Sequence, residues 1–184
     1  MTSEQAEHHE LVLCRFGEEQ GWSLLESYST PDSRAMIRTV RSGLNSTLRL
    51  SLHAPAGHNQ AWRIALALPP RAIAGQPERW VVSGCAARGH ASVELEVMDG
   101  QGMLHLYDLG PTQAGGMSPI GARVKEPVRT WNARGEQVQA APRVPLVPVR
   151  LFVICEAEQS HVDIELVSLS VRGSVRETPP GLAG

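Results

Sequence analysis

Residues 161–171 read HVDIELVSLSV, and the placement of their apolar side chains indicates the fold. In the first half of the stretch these side chains share one face of an extended strand: Val162, Ile164 and Leu166. In the second half they share the opposite face: Val167, Leu169 and Val171. An extra residue in one strand, a β-bulge, moves the buried face in this way. We therefore predict a bulge between Leu166 and Val167 in the last strand of a sheet; the alternative is a strand covered on both faces near its end.

The same alternation continues through most of the chain. It is seen in TLRLSLH (47–53), WRIALALP (62–69), SVELEVMDGQGMLHLYDL (92–109) and VRLFVICEAE (149–158), and ERWVVSGCAA (78–87) is a more fully apolar run. The sequence has 17 glycines and 13 prolines, which favour turns between short strands over long helices. We predict about ten strands in one all-β domain, an antiparallel jelly-roll β-sandwich. The domain spans 11–172, between a flexible leader (1–10) and a flexible tail (173–184), and GPTQAGGMSPIGARVKEP (110–127) is a long loop.

Composition argues against several classes of function. The formal net charge is -2 and no basic stripe is present, so we do not expect nucleic acid as a partner. The apolar runs are shorter than the roughly 18 residues of a membrane span. Because the first ten residues lack the pattern of a secretory signal, we expect a cytoplasmic chain as written, or a secreted one if the domain is excised from a longer protein. The three cysteines are distant in sequence and lie in apolar runs, which indicates simple burial.

Two short motifs resemble galactose-binding-like β-sandwiches, a group that includes many carbohydrate-binding modules. FGEEQGW (16–22) is similar to their opening turn, and IELVSL (164–169) to their closing strand. The resemblance implies a non-catalytic domain that binds a glycan or polysaccharide and serves a linked or partner enzyme. It also implies a possible structural calcium held by Glu18 and Glu165, although Gly17 stands where an acid usually follows the aromatic residue. No other cofactor is expected.

Within this expectation, Trp131 is the candidate platform for a sugar ring, because its neighbours are polar and amphipathic aromatic rings suit such contacts. A partly buried tryptophan on an edge strand is the alternative. Hydroxyl groups of the glycan could be bound by His105 and Tyr107, which share a strand face, and by Arg88 and His90 at a junction between strand and loop.

Catalysis has little support in the sequence. There is no G-x-S-x-G motif and no H-E-x-x-H motif, so we assign no catalytic residue. Glu94 and Glu96 could in principle serve glycoside hydrolysis, but their spacing is also that of two solvated acids on one strand face. The main alternative to glycan binding is therefore a structural or protein-interaction sandwich without a small ligand. A glycoside hydrolase is the third hypothesis.

Overall fold

A computed structural model describes residues 9–19, 22, 24–27, 34–42, 45–53, 62–156 and 161–179. These residues form twelve strands and no helix. The strands are β1 (His9–Arg15), β2 (Leu24–Ser27), β3 (Arg34–Ser42), β4 (Asn45–His53), β5 (Trp62–Ala67), β6 (Ala72–Arg88), β7 (Ala91–Met98), β8 (Leu104–Pro111), β9 (Ser118–Arg123), β10 (Arg129–Trp131), β11 (Val147–Cys155) and β12 (His161–Thr178).

The strands form two six-stranded antiparallel sheets. The first sheet has the order β3-β4-β12-β6-β9. Its sixth strand, β1, pairs with residues 168–173 of β12, beyond the part of β12 that pairs with β4. The second sheet has the order β10-β8-β7-β11-β5-β2. This arrangement confirms the predicted all-β sandwich. Among the described residues, no helix is long and apolar enough to cross a membrane.

The core lies between the two sheets and is built from the predicted alternation. Leu48, Leu50 and Leu52 of β4 are all buried, and they face the apolar side chains of the second sheet. Trp80 is fully buried, as expected from its apolar run. Its ring meets that of Tyr107 edge to face, with 6.0 Å between centroids, a favourable geometry for two aromatic rings.

The predicted bulge in β12 is confirmed. The pairing of β12 with β6 shifts in register between Leu166 and Ser168, so that Val167 is the extra residue. Its carbonyl oxygen accepts a hydrogen bond from the Phe16 backbone N–H at 3.0 Å. Leu166 before the bulge and Leu169 after it are both buried in the core. The shift thus keeps one side of β12 apolar although the sequence changes its alternation.

Three expectations about segment boundaries need correction. β12 continues to Thr178, because its last residues pair with 72–77 at the start of β6, so the flexible tail does not begin at 173. The predicted loop 110–127 contains β9, which pairs with β6. His9 and Glu10, assigned to the leader, pair with the end of β12. The rest of the leader and the last residues of the tail lie outside the described residues.

The cysteines are free thiols. Cys14 and Cys155 are buried, and burial raises the pKa of both thiols to about 12. Cys85 is half-buried on the outer face of the first sheet, and burial raises its pKa as well. These positions agree with the predicted role of cysteine as a small apolar residue.

Candidate functional site

The outer face of the second sheet, away from the core, carries a depression of about 710 Å³. We call this surface the Trp131 face. Its lining includes Arg63, Glu96, Leu106, Trp131, Arg150 and Phe152. These side chains come from five neighbouring strands: β5, β7, β8, β10 and β11.

An apolar floor lies at the centre of the Trp131 face. Ala65, Leu106 and Phe152 form a small buried cluster of their own, separate from the main core. Phe152 lies directly across from Ala65 on one side and Glu94 on the other, which places its ring in the middle of the sheet. Trp131 packs against this cluster and is half-buried. Its ring is therefore supported from below and partly open to solvent.

Two ion pairs flank the floor. Arg63 Nη2 donates to Glu94 Oε2 at 2.9 Å, and Arg150 Nε donates to Glu96 Oε2 at 2.5 Å. The Arg63 guanidinium also lies over the Phe152 ring, 3.6 Å from its centroid, in a cation–π contact. Burial raises the pKa of Glu94, and the neighbouring Asp108 adds to that rise against the opposing effect of Arg63.

Charge on the Trp131 face is balanced. Among the described side chains, its cations and its carboxylates are equal in number: Arg63, Arg129 and Arg150 against Glu94, Glu96 and Asp108. A surface with a flat ring, an apolar floor and paired charges suits a neutral ligand that offers both C–H and hydroxyl groups. The arginine N–H groups can donate to a ligand hydroxyl, and the carboxylates can accept from one.

Trp131 is positioned by a short strand with strong local support. β10 pairs with β8 over three residues, with Thr130 opposite His105. Beyond Trp131 the chain turns tightly, because the Asn132 side-chain oxygen accepts hydrogen bonds from the backbone N–H groups of Arg134 and Glu136, at 2.9 and 3.0 Å. Trp131 is therefore partly buried on an edge strand, as the alternative predicted, and it borders the depression; its role as a platform for a sugar ring stays a prediction.

The structure contradicts the placement of His105 and Tyr107 on a ligand-facing surface. Both side chains are fully buried. The Tyr107 hydroxyl donates to the Val124 carbonyl at 2.9 Å, and burial raises its pKa. His105 Nδ1 bonds to the Thr130 hydroxyl at 2.9 Å and Nε2 bonds to Asp99 at 3.2 Å. They are polar residues of the interior whose hydrogen bonds are satisfied there.

Asp99 is the centre of this buried network. Its Oδ1 accepts from the backbone N–H groups of Gln101 and Met103, and its Oδ2 from that of Arg143 and from His105. Burial alone would raise the pKa of Asp99, but these hydrogen bonds together hold it below its ordinary value. Although a threonine, a histidine and an aspartate are linked in series, Thr130 is only 4% exposed. The network fixes the β7–β8 turn and β10 and offers no accessible nucleophile.

Arg88 and His90 are exposed, but they do not share a surface with Trp131. Arg88 ends β6 in the first sheet and donates to His161 Nδ1 at 2.9 Å. His90 Nε2 lies 2.8 Å from Glu156 Oε2. The five predicted glycan-binding residues are thus divided among the Trp131 face, the interior and the far end of the first sheet.

The predicted calcium ligands do not fit a calcium site. Glu165 is bonded to the Arg49 guanidinium, whose positive charge would repel a cation at the same oxygen. Glu18 is exposed in the turn after β1, where its nearest charged partner is Arg15 at 4.0 Å. Across the ranges that the structure describes, no group of three or more His, Cys, Asp or Glu side chains is arranged to hold a metal ion.

Several residues of the Trp131 face were not predicted from sequence. Phe152, Arg63 and Arg150 were read only as parts of alternating strands. A signal for Phe152 was present, because VRLFVICEAE carries apolar residues on both faces and one of those faces must lie away from the core. Glu94 and Glu96, considered for hydrolysis, are each bound to an arginine.

Solved structures identify the class of fold. The family 11 carbohydrate-binding module of the cellulosomal cellulase Lic26A-Cel5E of Clostridium thermocellum is similar to this chain, with a TM-score of 0.59 over 89% of this chain and 94% of that one, at 9% identity. A family 11 module from Clostridium thermocellum in complex with a β-1,3-1,4-mixed-linked tetrasaccharide gives a TM-score of 0.60 over 88% and 94% of the two chains, at 8% identity.

At such low identity the likeness shows the fold alone. The chain has the β-sandwich fold of carbohydrate-binding modules, as its resemblance implied. No protein-family profile matches the sequence, and no curated protein matches it significantly.

Proposed function

We propose that this domain is a non-catalytic carbohydrate-binding module that binds a neutral glycan chain on the Trp131 face. The observation that carries the proposal is the half-buried Trp131 ring beside an apolar floor whose flanking charges are paired. A sugar ring has apolar C–H faces and polar edges, so it can stack on an indole while its hydroxyls bond to nearby polar groups. The similar module of known structure was solved with a β-1,3-1,4-mixed-linked tetrasaccharide, and we choose neutral β-glucans with these linkages as the first candidates.

Balanced charge supports a neutral ligand over an acidic one at this face. Arg63 and Arg150 are each bonded to a glutamate, so an anionic ligand would have to displace a carboxylate to use them. A hydroxyl can accept from an N–H group of Arg150 that does not take part in the Arg150–Glu96 ion pair, without breaking that pair. In the cell, such a domain would hold a linked or partner enzyme close to its polysaccharide.

Binding to neutral β-glucans tests the proposal. We expect retardation of the protein in native gels that contain soluble β-glucan, and measurable binding of the oligosaccharides by calorimetry. Trp131→Ala should weaken binding by about 30-fold or more, because a central aromatic contact is worth about 2 kcal/mol or more in an interface. Trp131→Phe should retain part of the affinity.

Met36→Ala is the matched control, because Met36 is 56% exposed and lies on the outer face of the first sheet. This change should leave β-glucan binding as it is. Equal affinity of Trp131→Ala and the original protein would refute the site. If a broad panel of neutral glycans gives no binding while a protein partner co-purifies, the protein-interaction hypothesis replaces this one.

A further inference from the structure

A row of basic side chains crosses four neighbouring strands on the outer face of the first sheet. Arg34 of β3 lies opposite His53 of β4, and His53 lies opposite His161 of β12. The two imidazole rings are stacked with 4.0 Å between their centroids. Arg88 of β6 lies opposite Asp163 in the strand register, and its side chain reaches the row by donating to His161 Nδ1 at 2.9 Å. We call these four side chains the basic row.

Within the described residues, neither arginine of the basic row is bonded to a carboxylate. Arg34 is exposed and makes no ion pair within the part of the chain that the structure describes. Asp163 is the nearest acid on this face, and it bonds to His161 Nε2 at 3.2 Å and to the Ser51 hydroxyl. Burial would raise the pKa of Asp163, but these hydrogen bonds hold it below its ordinary value, so the group is a carboxylate already engaged by its neighbours.

The next outward-facing row of this sheet holds Met36, Ser51 and Asp163, and the row after that one contains a matched ion pair. There Arg38 lies opposite Arg49, and Arg49 lies opposite Glu165, whose carboxylate binds the Arg49 guanidinium. One internal carboxylate thus neutralises one arginine of that row. Among the described residues Arg34 has no such carboxylate: the residues across the sheet from it are His53 and His161, and Asp163 is engaged by His161 and Ser51.

We propose that the basic row is a second binding site, specific for the carboxylate groups of an acidic polysaccharide such as a uronic acid polymer. A guanidinium binds a carboxylate through two parallel hydrogen bonds, and the His53 ring can add a third, since both His161 nitrogens are already bonded. The row extends over three inter-strand distances, or roughly 14 Å, so it can contact more than one sugar unit of an extended chain.

The surroundings of the row favour a carbohydrate over a nucleic acid. Asp163 and Glu165 lie on the same face, and their charges would repel a continuous phosphate backbone. The chain as a whole carries a formal net charge of -2, and the row is short, whereas nucleic acids are usually bound by many phosphate contacts. A polysaccharide whose carboxylates are more widely spaced than the phosphates of a nucleic acid needs only a local excess of positive charge.

Polygalacturonate is the probe for this site, with affinity measured by gel retardation and calorimetry at about 50 mM and about 300 mM NaCl. We expect binding at low salt that weakens as salt rises, because exposed charges are screened. Arg34→Gln combined with Arg88→Gln should reduce affinity by about tenfold or more. Arg34→Gln alone should reduce it measurably, and this single change removes no contact that the described structure shows, so it tests the site without disturbing the fold.

Arg143→Gln combined with Arg176→Gln is the matched control. It removes the same charge from two other exposed positions and should leave polygalacturonate binding unchanged. Equal losses in this control and in the test variant would overturn the proposal, since they would mean that only net charge matters. Tighter binding of a sulfated glycan or of DNA at equal charge density would overturn the choice of a carboxylate polysaccharide.

The two sites can fail separately. Trp131→Ala should not change polygalacturonate binding, and Arg34→Gln should not change β-glucan binding. If the protein binds polygalacturonate but no neutral glycan, the proposed function of the Trp131 face is disproved and the proposal for the basic row stands. If the protein binds β-glucan but not polygalacturonate, the proposal for the basic row is disproved and the proposed function of the Trp131 face stands.

Discussion

The two outer faces of this sandwich use the same residue types in opposite ways. On the Trp131 face, Arg63 and Arg150 are each bonded to a glutamate, and an aromatic and aliphatic floor lies between the pairs. On the outer face of the first sheet, Arg34 and Arg38 have no carboxylate partner among the described residues, and the stacked histidines replace the apolar floor. The comparison shows that pairing of charges, rather than their number, separates a surface for neutral ligands from one for anions.

Both faces depend on strict alternation of side chains between core and solvent. In β12 that alternation is maintained only because Val167 is an extra residue in the pairing with β6. The largest effect we predict therefore comes from inserting one serine between Ser168 and Leu169. The inserted serine and Ser170 would then take the inward positions, and Leu169 and Val171 would turn to the outer face. We expect a loss of about 4 kcal/mol or more in the free energy of unfolding, which is most of the stability of an ordinary domain.

Circular dichroism during thermal unfolding measures this loss. Val167→Ala is the control, because it retains the extra residue and removes only part of a half-buried side chain; its cost should be about 1 kcal/mol. An insertion variant that melts within a few degrees of the original protein would show that β12 does not depend on this placement of its side chains.

A second prediction concerns the buried network beneath the Trp131 face, which has no counterpart in the basic row. Asp99→Ala would leave the backbone N–H groups of Gln101 and Met103 and the His105 ring without their acceptor. We expect a loss of about 3 kcal/mol in the free energy of unfolding at neutral pH, because unsatisfied buried donors are costly. Chemical denaturation with urea would measure it. An unchanged denaturation midpoint would contradict this role of Asp99.

The same carboxylate predicts a dependence on pH. The pKa of Asp99 in the folded protein lies below its ordinary value, so the folded state favours the ionised form. Asp99 therefore stabilises the protein fully above the unfolded pKa, at about pH 4, and that contribution is lost as the pH falls through the lower folded value. The difference in stability between the original protein and Asp99→Asn should accordingly shrink below about pH 4. A constant difference from pH 7 to pH 3 would argue against an ionised Asp99.

The smallest effect concerns calcium. Because Arg49 holds the carboxylate of Glu165, we expect neither calcium nor a chelator to shift the melting temperature by more than about 1 °C. Scanning fluorimetry with each addition measures the shift, and magnesium is the control for ionic strength. A rise of several degrees with calcium alone would restore the predicted metal site.

Much of the fold could be predicted from the sequence because alternation is a local signal. Leu48, Leu50 and Leu52 predict their strand without knowledge of its neighbours, and the change at Val167 predicts the bulge. β9 and the end of β12 could not be predicted in this way. Their segments are rich in glycine, proline and polar residues, and they are strands because β6 offers a partner distant in sequence. Pairing between distant segments leaves little trace in the composition of either one.

The site was predicted less well than the fold. The polar neighbours of Trp131 correctly indicated partial exposure. The same reasoning failed for His105 and Tyr107, because a polar side chain can face the interior when a buried partner satisfies it. Those partners are Asp99, Thr130 and the Val124 carbonyl, none of which is adjacent in sequence to the residue it serves.

The most direct test of the central claim is the position of a bound neutral glycan, measured by NMR. A ¹H–¹⁵N spectrum of the protein during titration with a β-1,3-1,4-linked tetrasaccharide would follow the indole N–H of Trp131 and the backbone amides of both sheets. We predict that the Trp131 indole and the amides around Phe152 shift with saturation, while those of Arg34 and His53 do not. Saturable shifts confined to the basic row, or no shifts with any neutral oligosaccharide, would contradict the account.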